Sequence, residues 1–368
     1  MPFLGRWLAL MKLRKLSRGL QNAYRGSDVV RRLQRFDGWI DRTSAGETDG
    51  KGYDHAETVE EYYDLCSDLM VFGWGESLHF APLSPQESLE ESKVRHQRLM
   101  IAKLDLREGM NVVDVGCGIG GPMRRVVREA GVRVVGVNTS EVQLDKAKSL
   151  NAEAGLDHMV DFLECSFMDM GAVQDDTFDR GYAIESTCHA PDKAGAFAEI
   201  YRVLKPGALF WGQEMCMTGR FDPDDKRHRT IKRELMRGIA LADIATTEQV
   251  DRDLAAAGFE VLEGIDRAVG DNGPTTPWYQ PMETPHKIRG GALYRIPVGR
   301  RAMGIALKAA EALRMFPKGS ADVVRLLDRT ADAYVAGGKT GIFTPLYCFL
   351  ARKPAGPSHS HIGDPVDG

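Results

Sequence analysis

From Asn111 onward, short apolar runs alternate with segments of helical spacing. Five of the runs are typical of buried strands: "NVVDV", "VRVVGVN", "VDFLEC", "RGYAIES" and "ALFWGQE". Residues 141–154 and 192–204, which lie between runs, carry apolar positions at the spacing of a helix. This alternation predicts an α/β fold with a doubly wound, mostly parallel sheet and right-handed crossovers. A ligand of such a sheet binds outside the carboxyl ends of the strands.

A glycine-rich turn follows the first of these strands. Gly116, Gly118 and Gly121 have the G-x-G-x-x-G spacing of a dinucleotide site, which alone is a weak signal. Such a site expects an acidic residue roughly 20 positions later, but the second strand ends in Asn138, and the acid, Asp114, precedes the glycines. Because glycine lets backbone N–H groups approach a ligand, the pattern favours the methyltransferase version of the fold, in which the turn holds S-adenosylmethionine. A turn that merely joins a strand to a helix is the alternative.

Residues 71–80, "VFGWGESLHF", combine aromatic residues, glycines, a histidine and a glutamate. Their spacing fits neither a strand nor a helix, so the segment predicts a bendable aromatic loop that acts as a lid. Near the C-terminus, residues 298–315 and 320–336 predict two helices with apolar faces. The proline-rich residues 271–285 predict an extended loop across the surface.

The N-terminal segment combines short apolar runs with basic residues. No run approaches the ~20 apolar residues that a membrane span requires. Drawn as a helix, the segment places four apolar side chains on one face: Leu4, Trp7, Leu8 and Met11. This predicts peripheral contact with an anionic membrane through residues 1–36, with a frayed or self-packing extension as the alternative. The polar residues 41–52 predict a linker.

Composition excludes several classes of partner and site. The chain has 368 residues, 43% of them hydrophobic and 27% charged, as in an ordinary globular protein. A net charge of −4 argues against a nucleic-acid partner. The six cysteines are scattered without a C-x-x-C pair, so we expect reduced thiols, no metal site and an intracellular protein, cytoplasmic or peripherally membrane-associated. The sequence does not determine the oligomeric state, and a homo-oligomer is one of the possible states.

Several longer strings occur together in the order seen in one enzyme family: "YYDLCSDLMVFGWGESLHF", "DVGCGIGGPMR", "YAIESTCHAPD", "EIYRVLKPGALF", "EMCMTGRFDP", "PWYQP" and "GIFTPLYCFLARKP". Over about residues 55–354 the chain resembles sterol 24-C-methyltransferases. The resemblance implies S-adenosylmethionine as methyl donor and a sterol with a side-chain double bond as acceptor. It also implies a sterol-binding region at 271–354. With the N-terminal pattern, we expect an organisation in four parts: a basic amphipathic extension and linker at 1–50, an S-adenosylmethionine-binding domain with the aromatic lid at 51–270, the sterol-binding region, and a disordered tail at 355–368.

The implied chemistry selects candidate site residues. Methylation of an alkene leaves a carbocation, which needs a dry pocket, aromatic faces and one base. The candidate catalytic residues are Glu185, His189, His79, Trp74 and Phe72. The candidate cofactor-binding residues are Asp114, Gly116, Gly118, Gly120, Gly121, Asn138, Gln143, Ser166 and Phe167. The alternative for Glu185 is a cap of the following turn, and for His189 and His79 it is a structural hydrogen bond.

The chain departs from the family at several of these positions. Residues 70–72 read Met-Val-Phe where the family typically has Tyr-Glu-Tyr, and Ser166 stands where an aspartate is common. Val71 cannot accept a proton; Glu76, in place of a serine, would compensate in part only if a separation of five residues brings it into the same pocket. These changes keep two other functions open: a methyltransferase for another hydrophobic acceptor, such as squalene or another sterol position, and a noncatalytic lipid-binding scaffold.

Overall fold

The computed structural model describes residues 2–44, 53–85, 87–269, 276–284 and 293–355, with the backbone alone for 2–12 and 53–56. The predicted disordered tail therefore lies outside the described residues from 356 onward, as do most of the predicted linker and parts of the predicted loop at 271–285.

Seven strands of the described residues form one sheet: β1 (Asn111–Val115), β2 (Arg133–Asn138), β3 (Val160–Glu164), β4 (Phe178–Ile184), β5 (Leu204–Met217), β6 (Glu260–Asp266) and β7 (Phe343–Arg352). Their order is β3-β2-β1-β4-β5-β7-β6. β7 runs antiparallel to β5 and β6, and the other pairs are parallel. The predicted doubly wound, mostly parallel sheet is confirmed. β1 is buried from Val112 to Val115, as expected for a mostly apolar strand covered on both faces.

Helices cover the sheet and extend beyond its carboxyl edge. They are α1 (Pro2–Ala23), α2 (Val29–Ser44), α3 (Tyr53–Trp74), α4 (Leu89–Lys103), α5 (Gly121–Ala130), α6 (Glu141–Glu153), α7 (Lys193–Val203), α8 (Lys226–Ile239), α9 (Thr247–Ala256), α10 (Gln280–Glu283), α11 (Pro297–Ala312) and α12 (Ser320–Thr340). The two predicted C-terminal helices correspond to α11 and α12. Within the described residues, no helix is long and apolar enough to span a bilayer.

The loop predicted for residues 71–80 is partly wrong. Helix α3 continues through Trp74, and the chain leaves it at Gly75, whose φ is +97°. The helix continues because buried side chains at Tyr62, Leu65, Cys66 and Leu69 keep one face packed inward. Only residues 75–80, hereafter the lid segment, form the loop.

The surface loop predicted for residues 271–285 is also wrong in its described part. Residues 280–283 form α10, and Trp278 and Met282 are buried. The Trp278 ring meets Phe80 edge-on, with 5.2 Å between centroids. This segment therefore belongs to the core beside the lid segment. Its proline content alone predicts a surface loop instead.

The N-terminal helices pack onto the rest of the chain. Leu16, Leu20, Phe36, Trp39 and Ile40 are buried in a cluster that also contains side chains from α3 and α12. The side chains predicted to face a membrane, at positions 4, 7, 8 and 11, lie outside the described residues. Most described apolar side chains of α1 and α2 thus contribute to the core of the protein, whereas Leu13 and Val30 are exposed.

Candidate active site

One cavity opens at the carboxyl ends of β1, β2 and β4, where the fold places a ligand. Seven predicted cofactor-binding residues line it: Asp114, Gly116, Gly118, Gly121, Asn138, Gln143 and Phe167. Two do not. Gly120 faces Asn151 and Arg124 beneath the turn, and the Ser166 hydroxyl accepts a hydrogen bond from the Met168 N–H at 3.1 Å. We call this space the sheet-end cavity.

At two positions of the turn, neighbouring atoms lie too close for any residue with a Cβ atom, so glycine is required. A Cβ at Gly116, where φ is +76°, would lie 2.3 Å from the Ser186 Cβ. A Cβ at Gly121 would lie 2.4 Å from the Glu76 carbonyl oxygen. Real side chains do not tolerate such distances. The turn after β1 thus touches both the turn after β4 and the lid segment.

Polar side chains surround this glycine turn. Asp114 Oδ2 accepts a hydrogen bond from the Tyr182 hydroxyl at 2.8 Å, and burial raises the pKa of Asp114 to about 7. The Asn138 amide donates to Gln143 Oε1 at 2.8 Å. The Gln143 amide in turn donates to the Ser67 hydroxyl at 3.2 Å. A bound cation would favour ionisation of Asp114 and so return its pKa toward the ordinary range.

A second, apolar cavity adjoins the first. Side chains from α3, the lid segment, β5, α8 and the C-terminal helices line it; they include Leu69, Met70, Phe72, Trp74, Phe80, Met215, Ile239, Met282, Met303, Val324, Leu327, Ala331 and Tyr334. Aromatic rings meet here edge-on, with 4.9 Å between the centroids of Phe80 and Tyr334. Phe72 packs against Tyr294 at 5.4 Å. We call this space the acceptor cavity.

The two cavities share four residues: Tyr63, Leu78, His79 and Glu185. The wall between the cavities therefore consists of a few side chains, one of them a carboxylate. Val71, at the position of the missing family glutamate, lines neither cavity, whereas its neighbours Met70 and Phe72 line the acceptor cavity. Val71 itself therefore contributes nothing to the lining of either described cavity.

Glu185 follows β4 with a left-handed backbone, φ +52°, which is uncommon outside glycine and is found at functional positions. Its Oε1 accepts hydrogen bonds from the Phe80 N–H and the Gln213 amide, both at 2.6 Å. Gln213 is oriented by His96, whose Nε2 lies 2.8 Å from Gln213 Oε1. Burial raises the pKa of Glu185 to about 8, and the Phe80 N–H opposes that shift. Glu185 therefore does not cap the turn that follows it, because its hydrogen-bond donors come from the lid segment and β5.

His189 lies in the one-turn helix Thr187–His189 after β4. It lines the sheet-end cavity but not the acceptor cavity. Its Nε2 is 3.0 Å from the Tyr63 hydroxyl oxygen. Burial raises the pKa of Tyr63 well above its usual range, so the phenol stays protonated at neutral pH. The pair places a phenol oxygen at the junction of the two cavities.

His79 is held by two hydrogen bonds. Its Nδ1 is 2.7 Å from the Phe80 carbonyl oxygen, which can only accept, so Nδ1 carries the proton. Its Nε2 then accepts from the Gln97 amide at 2.8 Å. Burial lowers the pKa of His79 to about 3, so the ring stays neutral. With both nitrogens engaged, His79 fixes the lid segment and has no free lone pair for a substrate proton.

Sequence reasoning missed residues that this geometry brings together. Tyr63 lies within the quoted string "YYDLCSDLM" and Gln213 within the strand run "ALFWGQE", but nothing in either string singles out the side chain. Tyr334 appears only as an apolar position of a helix. Their roles come from packing between distant segments. Among the described residues, no three His, Cys, Asp or Glu side chains converge as a metal site.

Comparison with known proteins identifies the family to which the chain belongs. A family model described as a methyltransferase domain matches residues 113–212, and one described as sterol methyltransferase C-terminal matches residues 294–355. Cycloartenol-C-24-methyltransferase 1 of Oryza sativa subsp. japonica is 41% identical over 84% of this chain and 88% of its own length. Sterol 24-C-methyltransferase of Saccharomyces cerevisiae is 35% identical over 90% of this chain and 87% of its own.

Solved structures share the fold. The cyclopropane synthase MmaA2 from Mycobacterium tuberculosis has a TM-score of 0.62 at 19% identity, covering 81% of this chain and 98% of that one. The [4+2]-cyclase SpnF has a TM-score of 0.58 at 25% identity, covering 82% and 97%. With the glycine turn, the joined cavities and these relatives together, the family predicted from sequence is confirmed: the chain belongs to the sterol 24-C-methyltransferases, within the S-adenosylmethionine-dependent methyltransferases.

Proposed function

We propose that the protein transfers a methyl group from S-adenosylmethionine to C-24 of a sterol side chain, at its double bond. The observation that carries the proposal is the junction, where Tyr63, Leu78, His79 and Glu185 line both cavities. The sheet-end cavity suits the donor and the acceptor cavity suits an apolar lipid. A methyl group that passes between them crosses the junction.

The residues present fit S-adenosylmethionine. Gly116 and Gly121 form a cradle that a Cβ would fill, and the polar groups of Asp114, Asn138 and Gln143 line the same space. When bound, the cofactor supplies an electrophilic methyl group on a positively charged sulfur. The carboxylates of Asp114 and Glu185 favour a cation in this cavity, and the cation favours their ionised forms.

Glu185 is the base in this proposal. Attack of the alkene on the methyl carbon would break the methyl–sulfur bond, whose electron pair would stay on sulfur as the neutral thioether. A neighbouring carbon of the sterol would then be cationic until a base accepted a proton. Glu185 lines both cavities, whereas His189 lines only the sheet-end cavity, and both nitrogens of His79 are occupied. We therefore assign proton acceptance to Glu185, orientation of Tyr63 to His189, and lid positioning to His79.

Aromatic rings stabilise the cationic intermediate. Phe80 and Tyr334 meet beside Glu185, since the Phe80 N–H donates to that carboxylate. A ring face near a desolvated cation contributes about 2 kcal/mol. Trp74 supports this arrangement, because its indole N–H donates to the His79 carbonyl at 3.0 Å and its ring meets Phe80 at 5.2 Å. Phe72 shapes a more distant wall, against Tyr294.

A second carboxylate, Asp328, orients the sterol. It lies on α12 and lines the acceptor cavity, as Glu185 does. The buried Arg300 donates from Nε to Asp328 and from Nη1 to the carbonyl of Met282 at 2.6 Å. A sterol carries one hydroxyl at the end opposite its side chain. In this proposal Asp328, as a carboxylate in the same cavity, accepts a hydrogen bond from that hydroxyl.

The test is incubation of the purified chain with isotopically labelled S-adenosylmethionine and a panel of Δ24 sterols plus squalene, with products identified by mass spectrometry and NMR. Label at C-24 supports the proposal. Label on squalene alone or on the sterol nucleus would mean that Met70 and Phe72, which replace two family tyrosines, have redirected the cavity. Tight sterol binding without turnover would indicate the noncatalytic scaffold.

Peripheral membrane contact through residues 1–36, an intracellular location and a homo-oligomer stay predictions of the sequence.

A further inference from the structure

The outward face of α11 exposes large apolar side chains. Between residues 293 and 315 the exposed fractions are 68% for Leu293, 74% for Val298 and Ile305, 71% for Leu313 and 58% for Met315. Val298 and Ile305 are seven residues apart, two helical turns, and share one face. Ala302 and Ala309 are exposed on the same face. A patch of this kind marks an interaction site.

The charges beside this patch are basic. Arg301, Lys308, Arg314 and Lys318 are exposed. Residues 293–318 contain a single acid, Glu311, whose side chain is 7% exposed and accepts a hydrogen bond from the Ala321 N–H at 2.7 Å. The exposed surface of this stretch is thus apolar and positive.

Helix α1 extends the positive surface. The Ser17 hydroxyl donates to the Met315 carbonyl at 3.1 Å, which brings α1 next to the end of the patch. Arg14, Lys15 and Arg18 are exposed on α1, and residues 13–25 contain no acid. Leu16 and Leu20 are buried and Leu13 is 39% exposed, so the described part of α1 offers its basic side chains and one partly exposed leucine to a partner.

The opposite face of α11 lines the acceptor cavity. Arg300 and Met303 are among its lining residues, as are Tyr294 and Arg295 just before the helix. One helix therefore separates the exposed patch from the space assigned to the sterol.

We propose that the outward face of α11, flanked by the basic side chains of α1, docks on an anionic phospholipid bilayer. This inference rests on the proposed function, because a sterol acceptor resides in a bilayer and must leave it to reach the cavity. Apolar side chains enter the interfacial region while lysines and arginines contact anionic headgroups. The patch lies on the wall of the acceptor cavity, so docking shortens the path of the sterol.

A second copy of the chain fits this surface less well. A two-fold contact would place the same basic residues of both copies close together, with no exposed acid in residues 293–318 to compensate. An anionic bilayer complements both the charge and the apolar area.

The experiment is flotation of the full chain with vesicles of phosphatidylcholine alone or mixed with phosphatidylglycerol. The variant carries Ile305→Glu and Leu313→Glu, and the control is Val269→Glu, whose parent side chain is 72% exposed outside this patch. We expect binding to the anionic vesicles, weakening with salt, and a loss of about tenfold or more in the double variant but not in the control. Vesicle binding needs no turnover, so it tests this surface even if the proposed reaction is wrong.

A second measurement compares methyl transfer to a sterol delivered in cyclodextrin with transfer to the same sterol in anionic vesicles. The double variant should match the parent with cyclodextrin, which shows that it is folded, and fall below it with vesicles. Equal vesicle binding by parent and double variant would overturn the proposal. So would concentration-dependent self-association that the double variant abolishes, which would make the patch a contact between copies.

Discussion

Replacement of Glu185 by glutamine should strongly reduce turnover and stabilise the protein in a pH-dependent way. The pKa of this carboxyl is raised from 4.5 to about 8 because it is buried. Between these two values the unfolded chain loses its proton while the folded chain keeps it, so stability falls as pH rises. At about 1.4 kcal/mol per pH unit, the loss is roughly 3 kcal/mol at pH 7 and roughly 5 kcal/mol above pH 8. A neutral glutamine has no such loss and can still accept from the Phe80 N–H.

The assay is urea unfolding of parent and Glu185→Gln at pH 4.5, 7 and 9, followed by fluorescence, with methyl transfer measured in parallel. We expect similar stabilities at the lowest pH, a growing advantage of the variant at higher pH, and a fall in turnover of roughly a hundredfold or more. A stability difference that is constant with pH would refute the perturbed pKa. Unchanged turnover would refute the assignment of the base.

Three further substitutions test the surrounding groups. Gln213→Leu removes a hydrogen-bond donor to the Glu185 carboxylate, so the pKa of Glu185 should rise. The midpoint of the pH profile of kcat/KM should then move to higher pH, and an unmoved midpoint would contradict the contact. Gly121→Ala should lower S-adenosylmethionine affinity at least tenfold by calorimetry, because its Cβ would lie 2.4 Å from the Glu76 carbonyl, whereas Gly219→Ala, with nothing within 4 Å, should leave it unchanged. Asp328→Asn should reduce the preference for 3-hydroxy over 3-deoxy sterols about fivefold; an equal preference in parent and variant would remove Asp328 from hydroxyl recognition.

The sequence specifies the sheet and the donor cavity better than the acceptor cavity. The buried strands have apolar runs that can be recognised locally. The spaced glycines after β1 likewise indicate, from the sequence, a turn whose backbone comes close to a ligand. Seven of nine proposed cofactor residues line the cavity for this reason. Ser166 lies outside that lining, and its hydroxyl instead closes its own turn by accepting from the Met168 N–H, so its contact with the cofactor stays a prediction.

The acceptor cavity depends on contacts between distant segments. Trp278 reaches Phe80, Tyr334 reaches Phe80, and Gln213 reaches Glu185, across separations that no local pattern encodes. The hydrogen bond that occupies His79 Nε2 likewise comes from Gln97, eighteen residues away on α4. Family resemblance suggested which residues matter, while only the packing distinguishes a histidine that positions the lid from a carboxylate at the junction.

The position of β7 has a consequence for the order in which the chain can fold during synthesis. This strand is the last described element, yet it lies between β5 and β6, and β6 pairs with no other strand of the described sheet. On the ribosome, β1 to β5 can assemble early, but β6 must wait for residues 343–352 to leave the exit tunnel. A chain truncated before residue 343 would therefore lack the partner of β6 and expose one side of β5. The C-terminal segment that a family model treats separately is thus required to complete the sheet of the methyltransferase domain.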